Sequence, residues 1–294
     1  MAVQPDGKVI AAGITQKEPG SSDQNFAVAR YNTDGSLDAT FGNQGKVRLL
    51  SYHGDAWTTA AVAGGKIVLG GFAYTPGWEA TAAVPEGFNW YVARLNADGS
   101  PDNTFGGDGI VALSLAPGGY YDVLRDLLVL DDGSVVAVGD TFDATLGKTV
   151  AAVARFDSSG AVLGSRTYQF FAGGDSFLTG VARQPGSTDG GVFVAGHGFG
   201  NSSGGWDTVV ARLDASGAFG AFGDKGIVRT DWNGAAGNDS AQDLAVQPDG
   251  KPVIAAQATA AAGQQRMAAA RFTAAGLPDT SFDADVRGGH RVYG

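Results

Sequence analysis

The sequence predicts an all-β fold, a five-bladed β-propeller with four antiparallel strands per blade. Three observations point there. A unit of about 60 residues recurs five times along the 294-residue chain. Each copy holds short apolar runs separated by Gly-centred turns, and no stretch carries helical periodicity. The 47 Gly and 17% charged residues suit many short strands and tight turns better than helices.

The repeat is anchored by an apolar run ending in Arg: "AVAR" to Arg30, "YVAR" to Arg94, "AVAR" to Arg155, "VVAR" to Arg212 and "AAAR" to Arg271. The steps between anchors are 64, 61, 57 and 59 residues. Before each anchor come two apolar runs around a turn, a hairpin signal. They read "AVQPDGKVIAAG" from Ala2, "AVAGGKIVLGG" from Ala61, "LVLDDGSVVAVG" from Leu128, "ARQPGSTDGGVFVAG" from Ala182 and "AVQPDGKPVIAA" from Ala245. After the anchor, "FGNQGKVRLL" at Phe41, "FGGDGIVALSL" at Phe105 and "FGDKGIVRT" at Phe222 supply a last run. Strand A precedes the first turn, B follows it, C is the anchor run and D the last. The blades then cover residues 1–50, 51–114, 115–171, 172–232 and 233–294. Small Ala alternates with Val or Phe, so both strand faces suit burial between neighbouring sheets. The first unit enters part-way through strand A, so Met1 reads as a domain start. Five nearly whole units fit a closed ring, with a piece of a larger ring as the alternative.

The wording "AVQPDGK", "AVARYNTDGSLDATFG" and "GKV" resembles the bacterial delta-60 repeat family, whose β-propeller domain has no known function. The likeness is strong in units 1, 2 and 5 and eroded in units 3 and 4; in unit 3 "ARFDSSGAVLGSRT" stands for the family wording. It implies a propeller within large secreted or cell-surface bacterial proteins. It assigns no catalytic residue.

Composition excludes some functions. The net charge of −10 argues against nucleic acid, and no apolar run is long enough to insert in a membrane. The absence of Cys removes disulfides, thiolate nucleophiles and Cys-based zinc sites. The N-terminal wording has neither the basic start nor the apolar core of a signal peptide. No nucleophile elbow, H-E-x-x-H or P-loop is present. The three His occupy unequal places in their units, which argues against a shared metal site.

Repeated polar residues read first as frame. Each anchor Arg closes its blade, and Asp38, Asp102 and Asp279, eight residues on, are its partners. Leu163 and Gly220 hold that place in units 3 and 4, so a dedicated pair is expected in three units at most. "NTDGSLD" and "NADGSPD" resemble calcium loops, making Asp34, Asp38, Asp98 and Asp102 the candidate ligands and calcium the candidate cofactor. They lack the bidentate Glu of an EF-hand, and turn chemistry is the favoured reading. Asp55, Asp122, Asp175 and Asp239 recur before strand A. They are expected to bond backbone N–H groups there. As a ring at one channel mouth they are also the candidate catalytic acids.

The unrepeated B–C and D–A connections share one predicted face. All five Trp fall there, with His53, His197 and His290, and with Tyr52, Tyr74, Phe88, Tyr120 and Tyr121. Trp57, Trp78, Trp90, His197, Trp206 and Trp232 are the candidate ligand-binding residues. The expected function is a monomeric, secreted or cell-surface recognition module for a carbohydrate or protein ligand. The alternatives are a propeller glycoside hydrolase or lyase using the Asp ring, and a structural segment of a larger adhesin.

Overall fold

A computed structural model describes residues 1–16, 24–49, 56–115, 121–199, 205–232, 237–259, 264–282 and 290–292. They form twenty strands in five four-stranded antiparallel sheets, one per repeat. The first sheet is β1 (Ala2–Val3), β2 (Val9–Gln16), β3 (Gln24–Tyr31) and β4 (Lys46–Arg48). The second is β5 (Ala56–Ala63), β6 (Lys66–Thr75), β7 (Gly87–Leu95) and β8 (Ile110–Leu113). The third is β9 (Asp122–Val129), β10 (Val135–Asp143), β11 (Lys148–Phe156) and β12 (Val162–Tyr168). The fourth is β13 (Ser176–Arg183), β14 (Val192–Phe199), β15 (Trp206–Leu213) and β16 (Ile227–Thr230). The fifth is β17 (Ser240–Val246), β18 (Pro252–Thr259), β19 (Gln265–Arg271) and β20 (His290–Val292). Strand order in each sheet is A-B-C-D, as the hairpin pattern predicts. Among the described residues there is no helix.

The chain divides into two compact units: Met1–Gly147 with Ala154–Ser165, and Lys148–Val153 with Arg166–Gly294. In the first, β5 lies on β2 and β3, and β9 lies on β6 and β7. Ile10, Phe26, Val28, Phe41, Leu69 and Tyr91 make one core there. In the second, β17 lies on β14 and β15, around Phe193, Val210, Phe222, Trp232, Leu244 and Ile254. Strand A of the second, third and fifth sheets thus covers the apolar face of the sheet before it. Such burial is the main stabilising contribution to each unit, at about 25 cal/mol per Å² of apolar surface removed from water.

Close approach needs small residues at particular points. A Cβ on Gly139 would lie 2.0 Å from the Val123 carbonyl oxygen and 2.9 Å from the Trp90 ring. The A–B pairing slips by one residue at this glycine, a bulge that re-aims the strand. Trp90 occupies the space so left and is 0% exposed.

Candidate functional site

The repeated Arg is a structural latch. Arg30, Arg94 and Arg271 each donate through Nε to Asp38, Asp102 and Asp279, at 2.7, 2.7 and 2.9 Å. Lys8, Lys66 and Lys251 reach the same carboxylates at 2.8, 3.0 and 3.0 Å. Each guanidinium also lies over the ring of Phe41, Phe105 or Phe282. The pairing is found in the three units that spacing allowed. Where Gly220 replaces the Asp, Arg212 turns to Gln184 and Asp189 on its own A–B turn.

The latch also reaches forward. Arg30 Nη1 donates to the Ala97 carbonyl in the second sheet's turn, and Arg94 Nη1 to the Ser158 carbonyl in the third's, 2.6 Å. Beside them, Gly42 and Gly106 donate backbone N–H groups to the Asp98 and Ser159 carbonyls, 2.7 and 2.8 Å. In the second unit, Gly223 does the same to Ala275, 2.9 Å.

The candidate calcium loops are built as turns. Asp34 accepts from the Ser36 hydroxyl and N–H at 2.6 and 2.9 Å, and Asp98 accepts identically from Ser100. Those hydroxyls hold both carboxylates below the usual range. Hydrogen bonds from Lys8 and Thr40 lower Asp38 further. Burial opposes ionisation of Asp102, but Thr104, Lys66 and Arg94 outweigh it.

The recurring Asp before strand A bonds backbone, as expected. Asp122 accepts from the Leu115 N–H at 3.0 Å and from the Thr141 hydroxyl. Asp175 accepts from the Thr149 N–H, 2.9 Å. Asp239 accepts from the Trp232 and Thr259 N–H groups, 2.8 and 3.0 Å. Each ties the start of strand A to neighbouring strands or to the end of strand D. Asp122 and Asp239 are both 0% exposed. Burial pushes Asp122 up to about 6 despite its hydrogen bonds. Its neighbour Asp140, also buried and raised for the same reason, pairs with Arg125. Asp55 lies outside the described residues.

The tryptophans separate by environment. In the first unit Trp90 is enclosed, whereas Trp78, on the long B–C connection, is 80% exposed. Trp57 lies in β5, with its side chain outside the described set. In the second unit Trp232 is buried and donates through Nε1 to Thr208, 3.2 Å. Trp90 and Trp232 therefore offer no open ring face to a ligand. Trp206 is half-buried at the start of β15. His53, Tyr52 and Tyr120 lie outside the described residues, as does the side chain of His290.

Two aromatic groups stand at the B–C and D–A ends of the strands, one in each unit. In the second unit, Trp206 lies 5.4 Å from Phe177, 5.6 Å from His197 and 6.0 Å from Phe199, ring centre to ring centre. His197 stacks on Phe177 at 5.5 Å. The next residue, Asp207, comes together with Asp231 and Asp239, their ligand oxygens within 4.8 Å of one another. By ligand type these three are the described residues that could hold a hard cation. Asp239 is anchored to this cluster, donating its N–H to the Trp206 carbonyl at 2.6 Å. In the first unit, Phe88 meets Phe72, Tyr74 and Tyr121 edge to face at 6.1, 5.5 and 5.4 Å. The Tyr74 hydroxyl donates to Glu86, 2.7 Å, and Tyr121 is 51% exposed.

The sequence reading missed Phe177, Phe199 and Asp207. The first two alternate with apolar neighbours and look like core. Asp207 occupies a strand position held by Asn25, Asn89, Val150 and Arg266 elsewhere, so only comparison of the repeats marks it. A cleft of about 530 Å³ lies on the opposite, repetitive face of the first unit, lined by Lys66, Arg94, Leu130, Asp131 and Asp132 among others. Asp102 already engages both of its cations.

Residues 4–41, 87–105 and 247–282 match a family described as a domain of unknown function (DUF5122) beta-propeller. The chain is thus similar to a β-propeller domain of unknown function, under that description rather than the delta-60 name. No curated protein matches the chain significantly. Among solved structures, it resembles a protein of unknown function from Dyadobacter fermentans: TM-score 0.52, 12% identity, covering all of this chain and 81% of that one. A lower score, 0.41 at 11% identity, relates it to the β-propeller domain of the Trilobed protease from Pyrococcus furiosus, covering 91% of this chain and 66% of that one. A GH43_1 enzyme from Xanthomonas citri complexed with xylotriose scores 0.37 at 11% identity, over 92% of this chain and 90% of that one. At these identities the likeness defines fold alone.

Proposed function

We propose that the chain is a secreted or cell-surface recognition module that binds a neutral carbohydrate at the B–C and D–A ends of its strands. The observation that carries this reading is the half-exposed group Phe177, His197, Phe199 and Trp206 beside the carboxylates Asp207 and Asp231. Ring faces stack on the C–H surface of a sugar while carboxylates accept from its hydroxyls. The net charge of −10 disfavours polyanionic glycans. The five sheets are read as consecutive propeller blades. A closed five-bladed ring is the finer reading of the repeat.

The hydrolase alternative has less support. It needs two acids facing a substrate, whereas Asp122 is enclosed and Asp239 spends both oxygens on backbone N–H groups. Titration with a panel of neutral oligosaccharides, read by calorimetry and Trp fluorescence, tests the binding reading. Trp206→Ala is expected to weaken binding about tenfold or more, with an unchanged circular dichroism spectrum. No heat and no quenching with any glycan would reject it. Release of reducing ends, lost in Asp231→Asn, would favour the hydrolase.

A further inference from the structure

The second sheet carries a platform that the repeat does not account for. Its B–C connection, residues 76–86 between β6 and β7, is the longest of the five. Hydrogen bonds brace it along its length. The Glu79 N–H donates to the Pro76 carbonyl, 2.9 Å. The Thr81 N–H donates to the Val84 carbonyl at 2.8 Å, and the Val84 N–H to the Thr81 hydroxyl at 3.0 Å. Asn89, which is 0% exposed, donates through Nδ2 to Thr75 Oγ1 and to the Pro85 carbonyl, both at 2.9 Å. It thereby ties together the two ends of the connection. The first sheet and β9, which pack on either side of the second sheet, belong to the same compact unit. The surroundings of this connection are therefore set within that unit.

On this frame Trp78 is 80% exposed. A folded chain gains by burying such a ring, yet here an ordered turn holds it in water. Glu86 joins Trp78 to the aromatic group below it. A Cβ on Gly77 would stand 3.0 Å from Glu86 Oε2, so the carboxylate sits beside the turn that carries Trp78. Glu86 Oε1 accepts from the Tyr74 hydroxyl at 2.7 Å, and Tyr74 and Tyr121 both pack on Phe88. Glu86 Oε2 has no hydrogen-bond partner among the described residues. Glu79 and Glu86 are both exposed, and neither pairs with a cation among the described residues. No Lys or Arg occurs between Lys66 and Arg94 in the sequence. The platform thus joins an open indole face to carboxylates that lack a counter-ion.

We propose that this platform docks an arginine side chain from a segment of a partner protein. A guanidinium is planar and weakly hydrated, so it lies flat on the open face of Trp78. Its forked N–H groups donate to Glu86, a charge-assisted contact, and Glu79 adds to the negative potential that attracts it. Tyr121, 51% exposed, offers apolar cover to the aliphatic stem. The bracing of residues 76–86 means that little order remains to be imposed on binding. The ligand differs from the neutral sugar assigned to the second unit, and the two sites share no residue.

Three peptides of one sequence, with arginine, lysine or uncharged citrulline at the same positions, test this when titrated into the whole chain. Calorimetry and Trp fluorescence read the binding. The arginine peptide is expected to bind at least about tenfold tighter than the citrulline peptide and tighter than the lysine peptide, and to weaken as salt rises. Trp78→Ala and Glu86→Gln should each weaken it about tenfold with unchanged circular dichroism, both side chains being exposed. Binding that survives either substitution reports only attraction to the net charge of −10 and overturns the proposal. Equal binding of the arginine and citrulline peptides, a lysine peptide that binds as tightly, or no binding of any peptide also overturns it. Fluorescence quenching by a neutral oligosaccharide instead, lost in Trp78→Ala, overturns it in favour of a second sugar site.

Discussion

Asp102→Ala should lower the stability of its unit by about 3 kcal/mol, the loss that follows when one member of a buried ion pair is removed. Its carboxylate is 4% exposed and holds Arg94 at 2.7 Å and Lys66 at 3.0 Å. It also accepts from the Thr104 hydroxyl, 2.7 Å. The substitution leaves a guanidinium that is 10% exposed without its counter-ion, and frees the side chain that grips the Ser158 carbonyl. Part of the loss should therefore fall on sheet packing. Asp102→Asn, which keeps the shape and one acceptor, should cost less. Urea unfolding monitored by circular dichroism checks the order Ala, Asn, wild type. Asp189→Ala supplies the contrast. That carboxylate pairs with Arg212 but is 45% exposed, and solvent screens such a pair, so its loss should be clearly smaller. Equal losses for Asp102→Ala and Asp189→Ala would refute the latch as a buried, stabilising device.

Asp122 should act in the opposite sense. Burial raises its carboxyl from 3.8 to about 6, so the ionised form is less favourable in the fold than in the open chain. The cost is fully present above about pH 6 and is relieved as pH falls toward 4, where the native state takes up a proton before the unfolded state does. The shift corresponds to about 2–3 kcal/mol at neutral pH. Asp38, Asp102 and Asp279 are held below their ordinary values. Their contribution is complete above about pH 4 and is lost on further acidification. Stability should thus rise from pH 7.5 toward 5 and fall at lower pH. Asp122→Asn can still accept from the Leu115 N–H and donate to the Thr141 hydroxyl oxygen. It should be more stable than wild type at pH 7.5 and vary less between pH 7 and 5, the remaining slope coming from Asp140, which burial also raises. Denaturant midpoints across that range decide the matter. A wild-type curve as flat as that of the Asn variant would exclude an ionised, buried Asp122.

Much of the frame was legible because it is written locally. A Gly-centred turn between two apolar runs specifies a hairpin within a dozen residues, and an Asp eight places after an Arg specifies a pair across one C–D connection. The candidate site was less legible because its environment is set at long range. Trp78 and Trp90 bound the same insertion in sequence, yet one stands in solvent and the other is enclosed. The difference depends on Gly139, whose missing side chain makes room for the Trp90 ring. Likewise Asp122 and Asp34 are both short-range acceptors in the sequence, and only the packing around each separates a raised carboxyl from a lowered one. Phe177 and Phe199 were invisible for the converse reason. Alternation in a strand identifies a face, and what lies opposite that face comes from another segment.

The forward grip of Arg30 and Arg94 falls on main-chain carbonyls, as do the N–H groups of Gly42, Gly106 and Gly223. Every residue type carries that carbonyl, so at the joint the receiving copy needs little beyond its turn glycine (Gly99, Gly160 or Gly276), where a Cβ would press on the preceding backbone. A duplicated repeat could be spliced after any other without matching substitutions on both sides. That is a route by which such arrays lengthen by copying while single copies drift, as the third and fourth have done in their wording while keeping the same four strands.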